Sequence, residues 1–370
     1  MKTVRRLLYR DIVASVAFVA LAFLSLFYFF DFVDELSGVG TRGRTVWHAA
    51  LGALLELPDH LYDLAPIAVL IGTIFSLARL AQSSEFTILR TGGLGPGRAL
   101  GLLAVLGLGF GAVTFVLGDF VGPASKHQSV QLHARFAGDL TIGGAGAWLK
   151  ERRKTPQGER SYSVNVAGTD AGGKLLGVRI FEFDDDGALV SRIEAREGRV
   201  APDGTWMLTN AQVAEWPAPR SAGSPRVVLT QQPQLQWSST LDPGVVAAAV
   251  LPVDTMTTLE LWRYSAHLSD QEQASQQHQI RFWRKALYPL ACLVMVALAL
   301  PFAYTHARAG SVSVKVFGGI MLGISFVLLN NLSGHIGMLR GWTPWLAAAT
   351  PSLLYLALSL AAFAWLVRYR

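Results

Sequence analysis

The sequence predicts an α-helical integral membrane protein of six transmembrane helices, with an all-β, jelly-roll-like domain inserted between the third helix and the fourth. Three observations predict it. Half of the chain is hydrophobic (51%), only 16% is charged and the mean hydropathy is +0.36, far from the composition of a soluble domain. Six apolar runs each approach the ~20 residues that cross a bilayer. Between the third run and the fourth the apolar stretches vanish, and alternating segments punctuated by Gly, Pro and Asp replace them. The boundaries that follow are 1–122 for the first three spans, 123–275 for the β domain and 276–370 for the last three spans.

The first span opens with Lys2, Arg5, Arg6 and Arg10, followed by an apolar run from Ile12 to Val33 that only Asp31 breaks. A signal peptide has a shorter apolar region, roughly 7–15 residues, and a small-residue cleavage site. Here Asp34 and Glu35 follow instead, so a retained helix ends near Leu36 and Ser37-Gly38-Val39-Gly40 makes a turn. The second span covers Leu61 to Ala81, with Pro58 before it and Pro66 inside, and the third covers Ala99 to Phe120. The last three cover Lys285 to Tyr304, Val314 to Leu332 and Trp345 to Val367, with Trp283, Arg284, Trp342 and Trp345 as interface anchors. Gly101, Gly107, Gly109, Gly111, Gly319 and Gly323 give small faces for close packing, within the chain or between subunits.

In the inserted domain, Leu176 to Phe183 and Ala188 to Ala195 flank Asp184-Asp185-Asp186-Gly187 as a hairpin. Pro202-Asp203-Gly204 turns a second hairpin whose return strand runs from Trp206 to Trp216, and Tyr162 to Val166 and Val227 to Trp237 add strands. Strand number and spacing predict a sandwich or jelly roll. His267 to Arg281 reads as a polar helix leading back to the membrane.

Short segments decide orientation, since long loops cross regardless of charge. One side holds Lys2, Arg5, Arg6, Arg10, Arg90, Arg98, Arg308, Lys315, Arg368 and Arg370; the other holds only Arg42, Arg44 and Arg340. The first side is therefore expected to be cytoplasmic and the β domain to lie across the membrane.

Several chemistries are poorly supported. The net charge of +6 is scattered over segment ends, not gathered into a nucleic-acid stripe. Cys292 is the one cysteine, which excludes an internal disulfide framework and a cysteine zinc site. The eight histidines stand in no metal-ligand spacing. Gly168 to Leu175 imitates a phosphate-binding loop, yet Leu175 stands where a magnesium-holding hydroxyl belongs, so the segment reads as a Gly-rich hairpin loop. Asp31, Asp34, Glu35, Asp59 and Asp63 sit near outer helix ends, where they line a wet cavity or simply face interfacial water.

Leu80 to Gly97, LAQSSEFTILRTGGLGPG, is the most informative stretch. Ser83 or Ser84 can cap a short helix through Glu85, Phe86, Ile88 and Leu89 that Gly92-Gly93 stops. An exposed carboxylate beside apolar anchors would make a docking peg for a soluble partner. The alternative is a surface turn that packs on its own protein.

LAPIAVLIGTIFSLARLAQSSEFTILRTGGL, RFWRKALYPLACLVMVALALPFA and SVKVFGGIMLGISFVLLNNL, with FVDEL ending the first helix, resemble the lipopolysaccharide export permeases LptF and LptG over essentially the whole chain, LptG being the nearer. The resemblance implies a permease subunit that pairs with an LptF-type permease and carries an LptB-type ATPase dimer. It also implies an LptC-type transmembrane β-jelly-roll protein beside the first helix. Lipopolysaccharide would be lifted from the outer leaflet of a Gram-negative inner membrane and passed along a periplasmic β bridge, for which one edge strand should stay open. No cofactor is implied in this chain; ATP and magnesium belong to the partner ATPase.

Carried onto this sequence, Ser84, Glu85, Phe86, Leu89 and Arg90 form the ATPase-coupling helix, and Trp206 and Leu208, which share one face, line the periplasmic lipid path, with Val213 and Trp216, which differ in parity, as further candidates. LptG has lysines near the outer end of the first helix where this chain has Asp31, Ser37 and Gly38. Asp34, Arg42 and Arg44 are therefore the candidate head-group residues. Two other classes compete: an intramembrane lipid-modifying enzyme that uses the outer acids, and a passive scaffold for the β domain.

Overall fold

The computed structural model describes residues 2–40, 43–137, 146–155, 158–169, 174–201, 203–216, 227–241, 246, 256–270, 276–304 and 312–369. The chain divides into two compact units, Met1–Ser129 with Gln276–Arg370, and Val130–Ser275.

Among the described residues, six helices are long and apolar enough to cross a membrane. They are α1 (Lys2–Leu36), α2 (Val46–Gln82), α4 (Pro96–Val116), α7 (Gln276–Ala303), α8 (Val312–Leu339) and α9 (Pro344–Tyr369), with the short α3 (Glu85–Thr91) joining α2 to α4. A π-helical turn, Leu117–Val121, carries α4 directly into α5 (Gly122–Ala137).

Helix α2 is the hub of this unit. Its most apolar window is 78% buried, against 17% for that of α1, because α1, α7 and α8 all pack on it. Close approach needs small residues: a methyl group at Gly72 would lie 2.5 Å from the Val16 Cα, and one at Gly107 would lie 2.9 Å from the Leu293 Cα. Gly111, Gly319 and Gly323 also meet neighbours within the chain, whereas Gly101 and Gly109 face open space.

Helix α2 starts fifteen residues before the expected Leu61. The sequence obscures this start because Glu56, Pro58, Asp59, His60 and Asp63 interrupt the apolar pattern. The fold satisfies several of them laterally: His60 Nε2 lies 2.9 Å from Asp31 Oδ2 on α1, and Glu56 accepts from Lys126 Nζ at 2.5 Å and Ser129 Oγ at 2.9 Å on α5.

The second unit holds one antiparallel meander of six consecutive strands: β1 (Ala147–Thr155), β2 (Gly158–Thr169), β3 (Leu175–Phe183), β4 (Leu189–Val200), β5 (Thr205–Glu215) and β6 (Val228–Ser238). The β domain is thus present, with its described strands in a single rolled sheet where a sandwich would have two. Strand β1, with five charges in nine residues, was hidden from a search for apolar alternation; its inward positions are Ala147, Leu149 and Glu151.

The roll closes through Glu151, 1% exposed. Its carboxylate accepts from the Thr240 backbone N–H at 2.7 Å, Thr240 Oγ1 at 2.6 Å, Ser239 Oγ at 2.8 Å and Arg153 Nε at 2.5 Å, which ties β1 to the chain leaving β6. Among the described residues no strand pairs with the other side of β6, where Val228 is 56% and Leu229 62% exposed.

A crease crosses the sheet. Pairing skips Ala167 with Gly177, Gly177 with Arg196, Arg196 with Asn210 and Asn210 with Pro233. Gly177 (φ 60°) and Asn210 (φ 53°) are left-handed there, a conformation that Gly and Asn adopt most readily. The break interrupts the alternation: on β5 Trp206 and Leu208 are buried before it, Ala211 and Ala214 after it, and Val213 lines a cavity. The parity that separated Val213 from Trp206 therefore does not hold through the strand.

Of the polar helix expected over His267 to Arg281, 276–281 form the start of α7 and 267–270 end an earlier helix. α6 (Thr258–Asp270) begins earlier, at a reciprocal cap in which Thr257 N donates to Glu260 Oε2 at 2.8 Å and Glu260 N donates to Thr257 Oγ1 at 3.2 Å. Residues 271–275, and 170–173 of the Gly-rich loop, lie outside the described residues.

Candidate functional site

Helix α3 sits at the end of the bundle that also carries the starts of α1 and α4. Ser84 takes the N-cap position in a left-handed conformation (φ 63°), and its side chain makes no capping hydrogen bond; it is the pivot between α2 and α3, not a cap. At the other end Gly92 N donates to Ile88 O at 2.9 Å and left-handed Gly93 (φ 99°) ends the helix, where the sequence placed the stop.

The two faces of α3 differ. Phe86, expected as an outward anchor, is 2% exposed and packs edge-to-face on Tyr304 of the α7 terminus, with ring centroids 5.1 Å apart. The Arg90 guanidinium covers the same ring at 4.9 Å, and Leu89 is half-buried against the core. Phe86 and Arg90 thus both hold Tyr304, a contact sequence reasoning missed because its two halves lie far apart in the chain. Outward remain Glu85, Thr87 and Ile88, the last 66% exposed. Both alternatives for this stretch are realised, one on each face.

Neighbouring helices brace this end. Asp11 of α1 pairs with Arg79 of α2 and accepts from Ser76 Oγ at 2.5 Å, and Tyr9 Oη donates to Leu102 O at 2.8 Å.

At the opposite end polar and charged side chains bond between elements. Beyond the His60 and Glu56 contacts, Arg284 Nη2 donates to Asn331 Oδ1 at 2.9 Å and Tyr288 Oη donates to Asp63 O at 2.6 Å. Arg44 forms an ion pair with Glu35, and the two side chains are 13% and 16% exposed. The pair is therefore largely withdrawn from solvent. Asp34 is exposed, and Arg42 lies outside the described residues. No group of His, Cys, Asp and Glu suited to a metal ion occurs among the described residues.

In the β unit a cavity of about 490 Å³ is lined by Tyr162, Ile180, Ile193, Val213, Trp216 and Trp237, with Arg153, Glu182 and Glu215 among its polar walls. Trp206 and Leu208, 0% and 1% exposed, are sealed in the core and do not line it; Trp206 packs on Trp237 at 5.6 Å. The model of the lipopolysaccharide export system permease LptF/LptG matches residues 6–367.

The chain belongs to the LptF/LptG permease family. It is similar to the lipopolysaccharide export system permease protein LptG of Escherichia coli, 25% identical over 333 residues that cover 89% of each chain. It is also similar to LptG of Haemophilus influenzae, 22% identical over 359 residues that cover 96% of each chain. For an LptF/LptG permease, the six apolar helices carry α3 and the polar contacts at the opposite end, and the inserted sheet carries the β cavity.

Proposed function

We propose that this chain is the LptG-type subunit of an ATP-driven complex that lifts lipopolysaccharide from the outer leaflet of the inner membrane and passes it to a periplasmic β bridge. It pairs with an LptF-type permease beside an LptC-type transmembrane protein, and an LptB-type ATPase dimer docks on α3. The chain supplies no catalytic group; ATP and magnesium act in the ATPase. The distribution of short-segment positive charge favours cytoplasmic termini and a periplasmic β unit.

The observation that carries this reading is the division of α3. Phe86 and Arg90 fasten it to the end of a membrane-spanning helix, while Glu85 and Ile88 present a carboxylate and an apolar side chain outward. A segment that is rigidly attached within and exposed without can pass a push from a soluble ATPase into the bundle. Along the lipid route, Val213, Trp216 and Trp237 replace Trp206 and Leu208 as the residues that meet acyl chains. Arg44 can reach a lipid phosphate only by releasing Glu35, so head-group capture there is an exchange of partners.

The enzyme alternative draws less support, because Asp31 and Glu35 are engaged in interhelical and loop pairs that brace the fold. The deciding experiment reconstitutes the complex in vesicles and measures ATP-dependent lipopolysaccharide release. Glu85→Lys should reduce release and lipopolysaccharide-stimulated hydrolysis together. Full release by a chain lacking 85–91 would favour the scaffold, and turnover of lipid by this chain alone would favour the enzyme.

A further inference from the structure

A half-open cavity of about 520 Å³ lies where the first residues of α1, the last of α3 and the start of α4 meet. Its apolar surface comes from Val4, Leu89, Leu94 and Leu102, and its charged residues are Arg5 and Arg98, with no acid in the lining. Arg98 Nη1 donates to Gly93 O at 3.2 Å. Neither arginine forms an ion pair among the described residues, and the next acid on α1, Asp11, is already taken by Arg79 and Ser76. The cavity therefore presents unneutralised positive charge over an apolar floor, within helices that enter the membrane.

This amphipathic arrangement discriminates between ligands. A free phosphate or nucleotide would leave the apolar floor empty, and a neutral lipid would leave two guanidinium groups without an anion. An anionic phospholipid satisfies both, since guanidinium forks engage phosphate oxygens and its acyl chain covers leucine surface. We propose that this cavity binds one anionic diacyl phospholipid of the leaflet on which α3 lies, its phosphate held by Arg5 and Arg98 and an acyl chain laid against Leu94 and Leu102. Because Leu89 of α3 and its C-cap Gly92 form one wall, the bound lipid also steadies the end of α3. The site depends on the lipid surface alone, not on what the permease transports.

The test is native mass spectrometry of the full chain released from nanodiscs containing phosphatidylglycerol and phosphatidylcholine in equal amounts. The wild type should retain one phosphatidylglycerol, and Arg5→Ala/Arg98→Ala should lower that retention about 30-fold, two juxtamembrane arginines being removed. Leu102→Trp, which fills the cavity and keeps both charges, should lower it as well. Arg6→Ala/Arg10→Ala, outside the lining, should leave it unchanged, and unaltered thermal unfolding midpoints would exclude misfolding as the cause. Equal retention by the Arg5/Arg98 variant, equal loss in the Arg6/Arg10 variant, or equal retention of phosphatidylcholine would overturn the proposal. So would cross-links from Leu94 to the ATPase in place of lipid.

Discussion

The α3 clasp in the membrane unit and the Glu151 latch in the β unit each fasten one segment in place, and they do so by opposite chemistry. The clasp is aromatic: Phe86 and Arg90 both hold the Tyr304 ring, with no carboxylate in the contact. The latch is a buried carboxylate that collects donors from Thr240, Ser239 and Arg153. Aromatic packing draws on area and shape, which neither salt nor pH changes much, whereas a buried carboxylate depends on remaining ionised. The contrast predicts a membrane-side attachment that stays firm as conditions vary and a β roll whose closure is sensitive to acid.

The largest effect that would break this comparison is expected at Phe86. Phe86→Ala should cost about 3–5 kcal/mol locally, as for other buried aromatic side chains, and release α3 from α7. Faster amide exchange over 85–91 would register the release, and unchanged exchange would show that α3 is held elsewhere.

Next comes Glu151→Gln, which should cost about 1–3 kcal/mol because charge-assisted bonds to a buried acceptor are lost. Burial alone would raise this carboxyl, but hydrogen bonds from Arg153, Thr240 and Ser239 outweigh it and hold the group below its ordinary value. Its stabilising contribution is therefore complete above the ordinary carboxylate range and is lost as pH falls through the depressed folded value. Exchange over β1 and 239–240 should rise on acidification in the wild type and rise less in Glu151→Gln. An equal acid response at α3 would erase the difference between the two fasteners.

The smallest effect is Arg90→Ala, expected near 0.5–1 kcal/mol for a partly exposed cation over a ring. It should raise α3 exchange modestly; an effect as large as that of Phe86→Ala would mean that charge, not packing, dominates the clasp.

Much of this was legible in advance. Apolar runs fixed the number of spans, and Gly92-Gly93 fixed where α3 stops. What stayed hidden depended on distant partners. A seven-residue helix bearing Phe86, Ile88 and Leu89 offers apolar residues on more than one side, and only Tyr304, far along the chain, decides that Phe86 turns in while Ile88 turns out. Glu56 obscured the start of α2 because Lys126 lies 70 residues away. Asn210 hid the interruption of alternation on β5, although a polar residue that tolerates left-handed backbone was a usable signal there. Trp206 and Leu208 were correctly read as inward, but inward in a roll can mean sealed core as well as cavity wall. A photo-crosslinker at Val213 should therefore capture lipopolysaccharide during ATP turnover, and one at Leu208 should not.

The central claim is that the outer face of α3 receives the ATPase while the Asp31–His60 pair at the far end of the α1–α2 hairpin only braces the fold. The most direct measurement is the affinity of the ATPase for the reconstituted permease carrying either Glu85→Lys/Ile88→Asp or Asp31→Asn/His60→Ala. Truncation of central interface residues typically costs about 2 kcal/mol or more, so the α3 variant should bind at least about tenfold more weakly, with the hairpin variant near the wild type. Wild-type affinity in the α3 variant, or loss confined to the hairpin variant, would contradict the account.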